Sequence, residues 1–297
     1  MKAWQGALAS VMMVLLVGCA GVVGSPAPAL SIEELRQSRA ASRWTTVGPL
    51  PGGPGFTASL IAYRSSGLRV HAAVATPAGS PPPQGFPVLI VNHGFHPNPP
   101  RYGFTAVGED LRPGDYYRSV PDLFTRAGFI VVMPDYRGHN NSEGLTFTTS
   151  ASAAAYYSED VIALLPGLVD LKMADLRHVF MWGHSMGGEV TLRALLATAR
   201  IKGASLWSST APAGWDPVPH LPALRTPLMI QHAMGDPVTD HRSSVRLASA
   251  LASFGLPHEL HILTGHDHFF EGAQLQRAVD RDVRFFRRLM RPTPSSL

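Results

Sequence analysis

The chain has 297 residues, enough for one large α/β domain with little left for a second. Glycine (28) and proline (26) are too few for a disordered or collagen-like chain, 45% hydrophobic with 15% charged residues fits a globular enzyme, and a formal net charge of +4 with no long basic run gives no ground for nucleic-acid binding. The single cysteine, Cys19, excludes an intrachain disulfide framework.

At the N-terminus, Lys2 and the apolar residues 7–17 lead into Leu16-Val17-Gly18-Cys19. This run resembles the lipobox of bacterial lipoprotein signal peptides. The resemblance implies removal of residues 1–18, a diacylglyceryl thioether on Cys19 and an acylated amine. Several acyl chains, at about 0.8 kcal/mol per buried CH₂, would hold the protein stably on a membrane. Ala20 after the cysteine is similar to an outer-membrane sorting signal, which implies a bacterial cell-envelope protein facing the periplasm or the cell surface. The alternatives are an ordinary signal peptide cut nearer Ser25 and an uncleaved anchor helix. In each case the segment is set aside from the fold.

Residues 21–30 read as a tether, and residues 31–44 as a short helix with Ser31 and Glu34 spaced as a capping box. Residues 48–55 read as a Pro/Gly loop. Residues 57–63 and 68–76 predict an antiparallel hairpin turning at Ser65-Ser66-Gly67. From residue 88 strands and helices alternate, which predicts a mostly parallel sheet covered on both faces. The predicted strands are residues 88–92, 129–133, 178–182, 203–208, 228–232 and 259–263. The predicted helices are residues 116–127, 152–171 with a bend at Pro166, 188–198, 243–254 and 274–289. Only the short stretch 210–224 separates two of those strands, so little or no lid is expected.

Residues 179–192 carry the strongest motif. A short apolar strand runs into Gly183-His184-Ser185-Met186-Gly187, and a helix follows from Gly188. Serine on a sharp strand-to-helix turn is a nucleophile elbow, and it lifts its hydroxyl to where a base can reach it. A serine needs a base, and the base needs an orienting acid. The acid is expected just after a downstream strand, where Asp236 stands, with Asp240 and Asp216 as competitors. The base is expected after the last strand, where His268 is the candidate and His266 and His261 the alternatives. Oxyanion donors are expected from the backbone N–H of Met186 and, in the Asn92-His93-Gly94-Phe95 turn, that of Phe95. The histidines His93, His96, His266 and His268 lack a helical H-E-x-x-H spacing, so no metal and no organic cofactor is expected.

Together, Asn92-His93-Gly94, Pro134-Asp135-Tyr136-Arg137-Gly138-His139, the Gly183–Gly188 elbow, Asp236 and His268-Phe269-Phe270 resemble the α/β-hydrolases, in particular the prolyl oligopeptidase (S9) and dienelactone hydrolase-like group. The common G-x-x-H-x-F spacing of that group selects His268. The resemblance implies a single α/β-hydrolase domain over residues 56–297, after a signal peptide at 1–18 and a lipidated tether with its helix and loop at 19–55. It further implies a Ser185–His268–Asp236 triad acting on small ester or short peptide substrates. Gly-His-Ser-Met-Gly is the elbow of esterases and lipases more than of S9 peptidases, and the chain lacks the length of a β-propeller. Both features point to esters. A serine aminopeptidase or oligopeptidase, and a non-catalytic binding lipoprotein of the same fold, are the competing readings. The Asp135/Arg137 segment reads as a structural brace, and Glu109 and Asp110 as a solvated loop that could instead hold a substrate cation.

Overall fold

A computed structural model describes residues 30–38, 43–95, 119–150, 152–209 and 215–291. Their strands are β1 (Thr45–Gly53), β2 (Phe56–Ser65), β3 (Leu68–Pro77), β4 (Phe86–Asn92), β5 (Ile130–Asp135), β6 (Ala174–His184), β7 (Gly203–Trp207), β8 (Leu228–Ala233) and β9 (His258–Leu263). The helices are α1 (Ile32–Gln37), α2 (Ser119–Arg126), α3 (Ala153–Leu164), α4 (Met186–Ala197), α5 (Arg242–Ser253) and α6 (Gly272–Met290). The strands form one sheet in the order β1-β2-β3-β5-β4-β6-β7-β8-β9. β1, β2 and β3 pair antiparallel, and β3 joins β5 antiparallel. Every pairing from β5 across to β9 is parallel.

The central strands are apolar on both faces because helices cover both. In β4 all seven residues are buried, and its alternate side chains feed two cores. Val88 and Ile90 pack with residues of α1, α3, α4 and α5, whereas Leu89 and Val91 pack with residues of α2 and α6. The parallel strands thus place all their C-terminal ends along one edge of a three-layered body, where loops can converge.

The predicted alternation holds, with two corrections. Residues 48–55 are not a loop, for Thr45–Gly53 forms an edge strand against β2. Its glycines and prolines disguise it, and register shifts at Thr46/Gly48 and Leu50/Gly53 let them stand there. The helix expected over 31–44 is only Ile32–Gln37, although its capping box forms as the sequence predicts: Ser31 Oγ accepts from the Glu34 N–H, and the Glu34 carboxylate accepts from the Ser31 N–H at 2.7 Å. At Pro166 the long predicted helix ends as α and continues as a 3₁₀ turn over Leu165–Asp170.

Two buried carboxylates sit near the sheet. Asp282 on α6 accepts from Ser205 Oγ at 2.7 Å, Gln231 Nε2 at 2.7 Å and Trp207 Nε1 at 2.9 Å, which ties β7 and β8 to the closing helix. Burial raises its pKa to about 7, and burial raises that of Asp135, at the end of β5, to about 8 against a hydrogen bond from Asn140 that opposes the rise. An acid of this kind keeps its proton in the fold and loses it in the unfolded chain. Its contribution is therefore fully present below an unfolded value near 3.8 and is lost as pH rises through the folded one. Melting temperature should accordingly fall between about pH 5 and about pH 8. Asp135→Asn can still accept from Asn140, so it should flatten part of that fall and melt above the wild type at about pH 8. An unchanged slope in calorimetry across this range would refute the assignment to Asp135.

Candidate active site

At the junction of β6 and α4, Ser185 adopts φ 56° and ψ −123°, a conformation that costs a non-glycine residue about 1–3 kcal/mol. Neighbouring contacts enforce it. The Ser185 N–H donates to Trp207 O at 2.9 Å, and the Gly188 N–H donates back to Ser185 O at 2.9 Å. The turn also needs close backbone approach. A Cβ on Gly183 would lie 2.3 Å from Gly187 O, and one on Gly187 would lie 2.1 Å from Asn92 O and 2.6 Å from His93 O. The first turn of α4 therefore rests directly on the end of β4. Gly187→Ala would force these backbones apart, so we expect it to cost at least about 2 kcal/mol and most of the activity. Wild-type melting behaviour in that variant would show that the contact yields.

Met186 opens α4, and the first N–H groups of a helix have no intrahelical partner. The predicted partner loop begins after Asn92. His93 is buried, its carbonyl accepts from Tyr136 Oη at 3.2 Å, and Phe95 beyond it is 61% exposed. The remainder of that loop, with His96, Glu109 and Asp110, lies outside the described residues, as does Cys19 with the segment around it.

The structure brings two of the sequence candidates together in the loops beyond β8 and β9. His268 Nδ1 lies 2.9 Å from Asp236 Oδ2 and 3.1 Å from Oδ1. Asp236 Oδ1 also accepts from the N–H groups of Val238 at 2.8 Å and Thr239 at 3.0 Å, and Oδ2 accepts from Thr239 Oγ1 at 2.7 Å. Burial pushes this carboxyl up, but the hydrogen bonds with His232 and His268, the charge interaction with His268 and the Thr239 amide outweigh burial and hold it far below the usual carboxylate range. It is thus the ionised partner that a neutral-pH triad needs. A carboxylate on Nδ1 fixes the imidazole tautomer and leaves Nε2 as its basic nitrogen.

The competitors lie elsewhere. Asp240 is exposed and accepts from the Arg242 N–H at the start of α5, as a cap would, and Asp216 accepts from the Val218 N–H. His266 is exposed, with Nδ1 3.3 Å from Gly235 O, and His261 stands 3.8 Å from Glu259.

Three residues that the sequence reading does not single out surround the pair. His184, inside the elbow motif, is buried and its Nε2 lies 2.8 Å from His268 O. A carbonyl only accepts, so Nε2 carries the proton. Burial, and then the charge of His268, hold the His184 pKa well below the usual histidine value, so the ring stays neutral and serves as a strut for the His268 backbone. His232 and Thr239 contact Asp236 from the other side. His232 is completely buried within its strand, Leu228–Ala233, and no sequence signal marks it.

The Asp135/Arg137 segment, expected to be a brace, is anchored by a buried ion pair. Arg137 is buried, and its guanidinium pairs with Asp160 at 2.6 Å and Glu159 at 2.7 Å.

Comparison with known proteins agrees with this architecture. Residues 114–220 match the family model described as serine aminopeptidase, S33. No curated protein sequence matches the chain. Among solved structures, Porphyromonas gingivalis dipeptidyl peptidase 4 is similar with a TM-score of 0.63 at 18% identity, over 79% of this chain and 36% of that one. This chain therefore spans little more than a third of that peptidase. The acetyl xylan esterase from Paenibacillus sp. R4 is similar with a TM-score of 0.64 at 14% identity, over 86% of this chain and 92% of that one. A cold-adapted esterase from an Arctic intertidal metagenomic library is similar with a TM-score of 0.60 at 18% identity, over 81% of this chain and 98% of that one.

Proposed function

We propose that this chain, whose fold is that of the α/β-hydrolases, is a serine hydrolase of carboxylic esters. The observation that carries the reading is the strained Ser185 at the β6–α4 junction in a chain whose His268 rests on Asp236 at 2.9 Å. Ser185 Oγ attacks the ester carbonyl while His268 Nε2 takes its proton. The His268 cation, stabilised by Asp236, passes that proton to the leaving alcohol. The Met186 and Phe95 amides donate to the oxyanion, and water repeats the sequence on the acyl-enzyme. The Gly183-His184-Ser185-Met186-Gly187 elbow and the two esterases among the similar structures support esters. The match of residues 114–220 to a serine aminopeptidase model supports a second reading, hydrolysis at a peptide N-terminus. We further propose that the protein works from a membrane of the bacterial cell envelope, anchored through lipidated Cys19.

The test is turnover of p-nitrophenyl esters of increasing acyl length beside aminoacyl and prolyl p-nitroanilides, together with fluorophosphonate labelling. Ester turnover with the label on Ser185 supports the reading, and turnover of anilides alone would move the protein to the aminopeptidases. No label and no turnover would leave a binding lipoprotein of the same fold. Because His268 must be neutral to act as base, kcat/KM should fall in acid, and a flat profile from about pH 5 to about pH 9 would count against it.

A further inference from the structure

The Asp236 carboxylate is gripped on both oxygens, and the two grips differ in kind. Oδ1 is held by two backbone amides, which cannot turn away. Oδ2, the oxygen nearer His268, is held from the protein side by the Thr239 hydroxyl, with His232 Nε2 standing 3.2 Å away. The hydroxyl has one proton and two acceptors within reach, Asp236 Oδ2 at 2.7 Å and Ser208 O at 3.1 Å. His232 Nε2 likewise faces more than one acceptor, Thr239 Oγ1 at 3.2 Å among them, and its hydrogen bond runs to the Thr239 carbonyl at 3.0 Å. That carbonyl and the carboxylate accept only, so Nε2 carries a proton. His232 Nδ1 is 2.8 Å from Ser244 Oγ, which comes from the first turn of α5. The ring is fully buried, so no water can stand in for it.

We propose that His232 is a positioning residue for the reaction: its Nε2–H, bonded to the Thr239 carbonyl and 3.2 Å from Asp236 Oδ2, fixes the Thr239 segment that grips the carboxylate, so that Asp236 cannot rotate away from His268, and Ser244 sets the ring that does so. The proposal rests on the triad reading given above. Among the described residues, the titratable groups around this carboxylate are His232 from β8, His268 beyond β9 and, behind His268, His184 from β6. His241, at the head of α5, faces His232 with ring centroids 6.5 Å apart. His232 therefore acts in two ways. It holds the geometry, and it draws negative charge from the carboxylate that would otherwise stabilise the His268 cation more strongly.

His232→Phe keeps a ring and removes the donor. On a p-nitrophenyl ester we expect kcat to fall about 10-fold with KM within about twofold, and the acid limb of the kcat/KM profile to move up by about half a pH unit. His232→Gln, which keeps a donor in its amide, should recover most of the rate and return the limb towards its wild-type place. Ser244→Ala should move the limb the same way by less, and it gives the reading should the phenylalanine variant fail to fold. A folded His232→Phe enzyme with wild-type kcat and limb would overturn the proposal. So would a rate loss shared equally by the Phe and Gln variants with no movement of the limb, which is the mark of disturbed packing alone. So would an unmoved limb in Ser244→Ala when the phenylalanine variant does not fold. Ser185→Ala, measured alongside, separates the two levels: turnover that survives it overturns the triad, and with it this proposal. Turnover that needs Ser185 but ignores His232 overturns the positioning role only.

Discussion

Replacing Ser185 with glycine should abolish turnover and at the same time make the protein harder to unfold. Loss of the nucleophile from a serine triad removes about four orders of magnitude or more from kcat/KM. Stability moves the other way because Ser185 sits at φ 56° and ψ −123°, where a Cβ is a liability. Relief of about 1–3 kcal/mol of strain, less about 0.5–1 kcal/mol for the freer unfolded glycine, leaves a net gain of about 1 kcal/mol. For a domain of this size that is a rise of about 2–4 °C in melting temperature. Ser185→Ala is the control, since it loses the hydroxyl but keeps the Cβ and should lose activity without the gain. The bonds that impose the turn, Ser185 N–H to Trp207 O and Gly188 N–H to Ser185 O, are backbone bonds and survive both changes. If the glycine variant melts below the wild type, strain is not what the turn stores. If it still turns over ester, Ser185 is not the nucleophile.

That strain was legible in the sequence, because the motif describes a local backbone event. Gly183 and Gly187 are required by contacts within a few residues or with the strand that must lie beside them. The parallel sheet was legible for a similar reason. A strand such as Phe86–Asn92, buried on both faces, is apolar along most of its length, and a run of only seven residues bounded by turns fits a strand better than a helix. Elements ordered by their neighbours rather than by their own residues were not legible. β1 is Gly- and Pro-rich and owes its extended form to pairing with β2 along an edge. The roles of His184 and His232 depend on which strands are adjacent and how far each loop projects. One ring meets the His268 carbonyl from β6 and the other meets Asp236 from β8, and nothing in either strand's own pattern distinguishes a packed histidine from a strut. Chain order points to Asp236, and the G-x-x-H-x-F spacing to His268, but neither says which donors share the carboxylate.

The second large effect is expected away from the reacting atoms, at Asp160. Arg137 follows β5 and is almost wholly buried. Asp160 on α3 receives its main-chain N–H at 2.8 Å, its Nε at 3.0 Å and its Nη2 at 2.6 Å, while Glu159 takes Nη2 at 2.7 Å. The guanidinium also lies over the Phe147 ring, 5.0 Å from its centroid. Asp160→Ala would leave a buried cation with one carboxylate and an unpaired amide, and breaking a buried pair from one side costs about 3–5 kcal/mol. At about 2–4 °C for each kcal/mol, the melting temperature should fall by about 6–20 °C. Activity should fall with it, because the same segment reaches the site: Tyr136 Oη donates to His93 O, and the His139 and His93 rings lie 5.0 Å apart between centroids. His93 and Gly94 lead to Phe95, whose amide is the proposed second oxyanion donor. The double variant Arg137→Met with Asp160→Leu discriminates between the two consequences. Removing both charges removes the desolvated cation, so stability should return in large part. The main-chain bond from Arg137 to Asp160 is still lost, so the loop is not held as before and the rate should recover less than the stability does. Equal recovery of both would mean that the ion pair stabilises the fold without bracing the site.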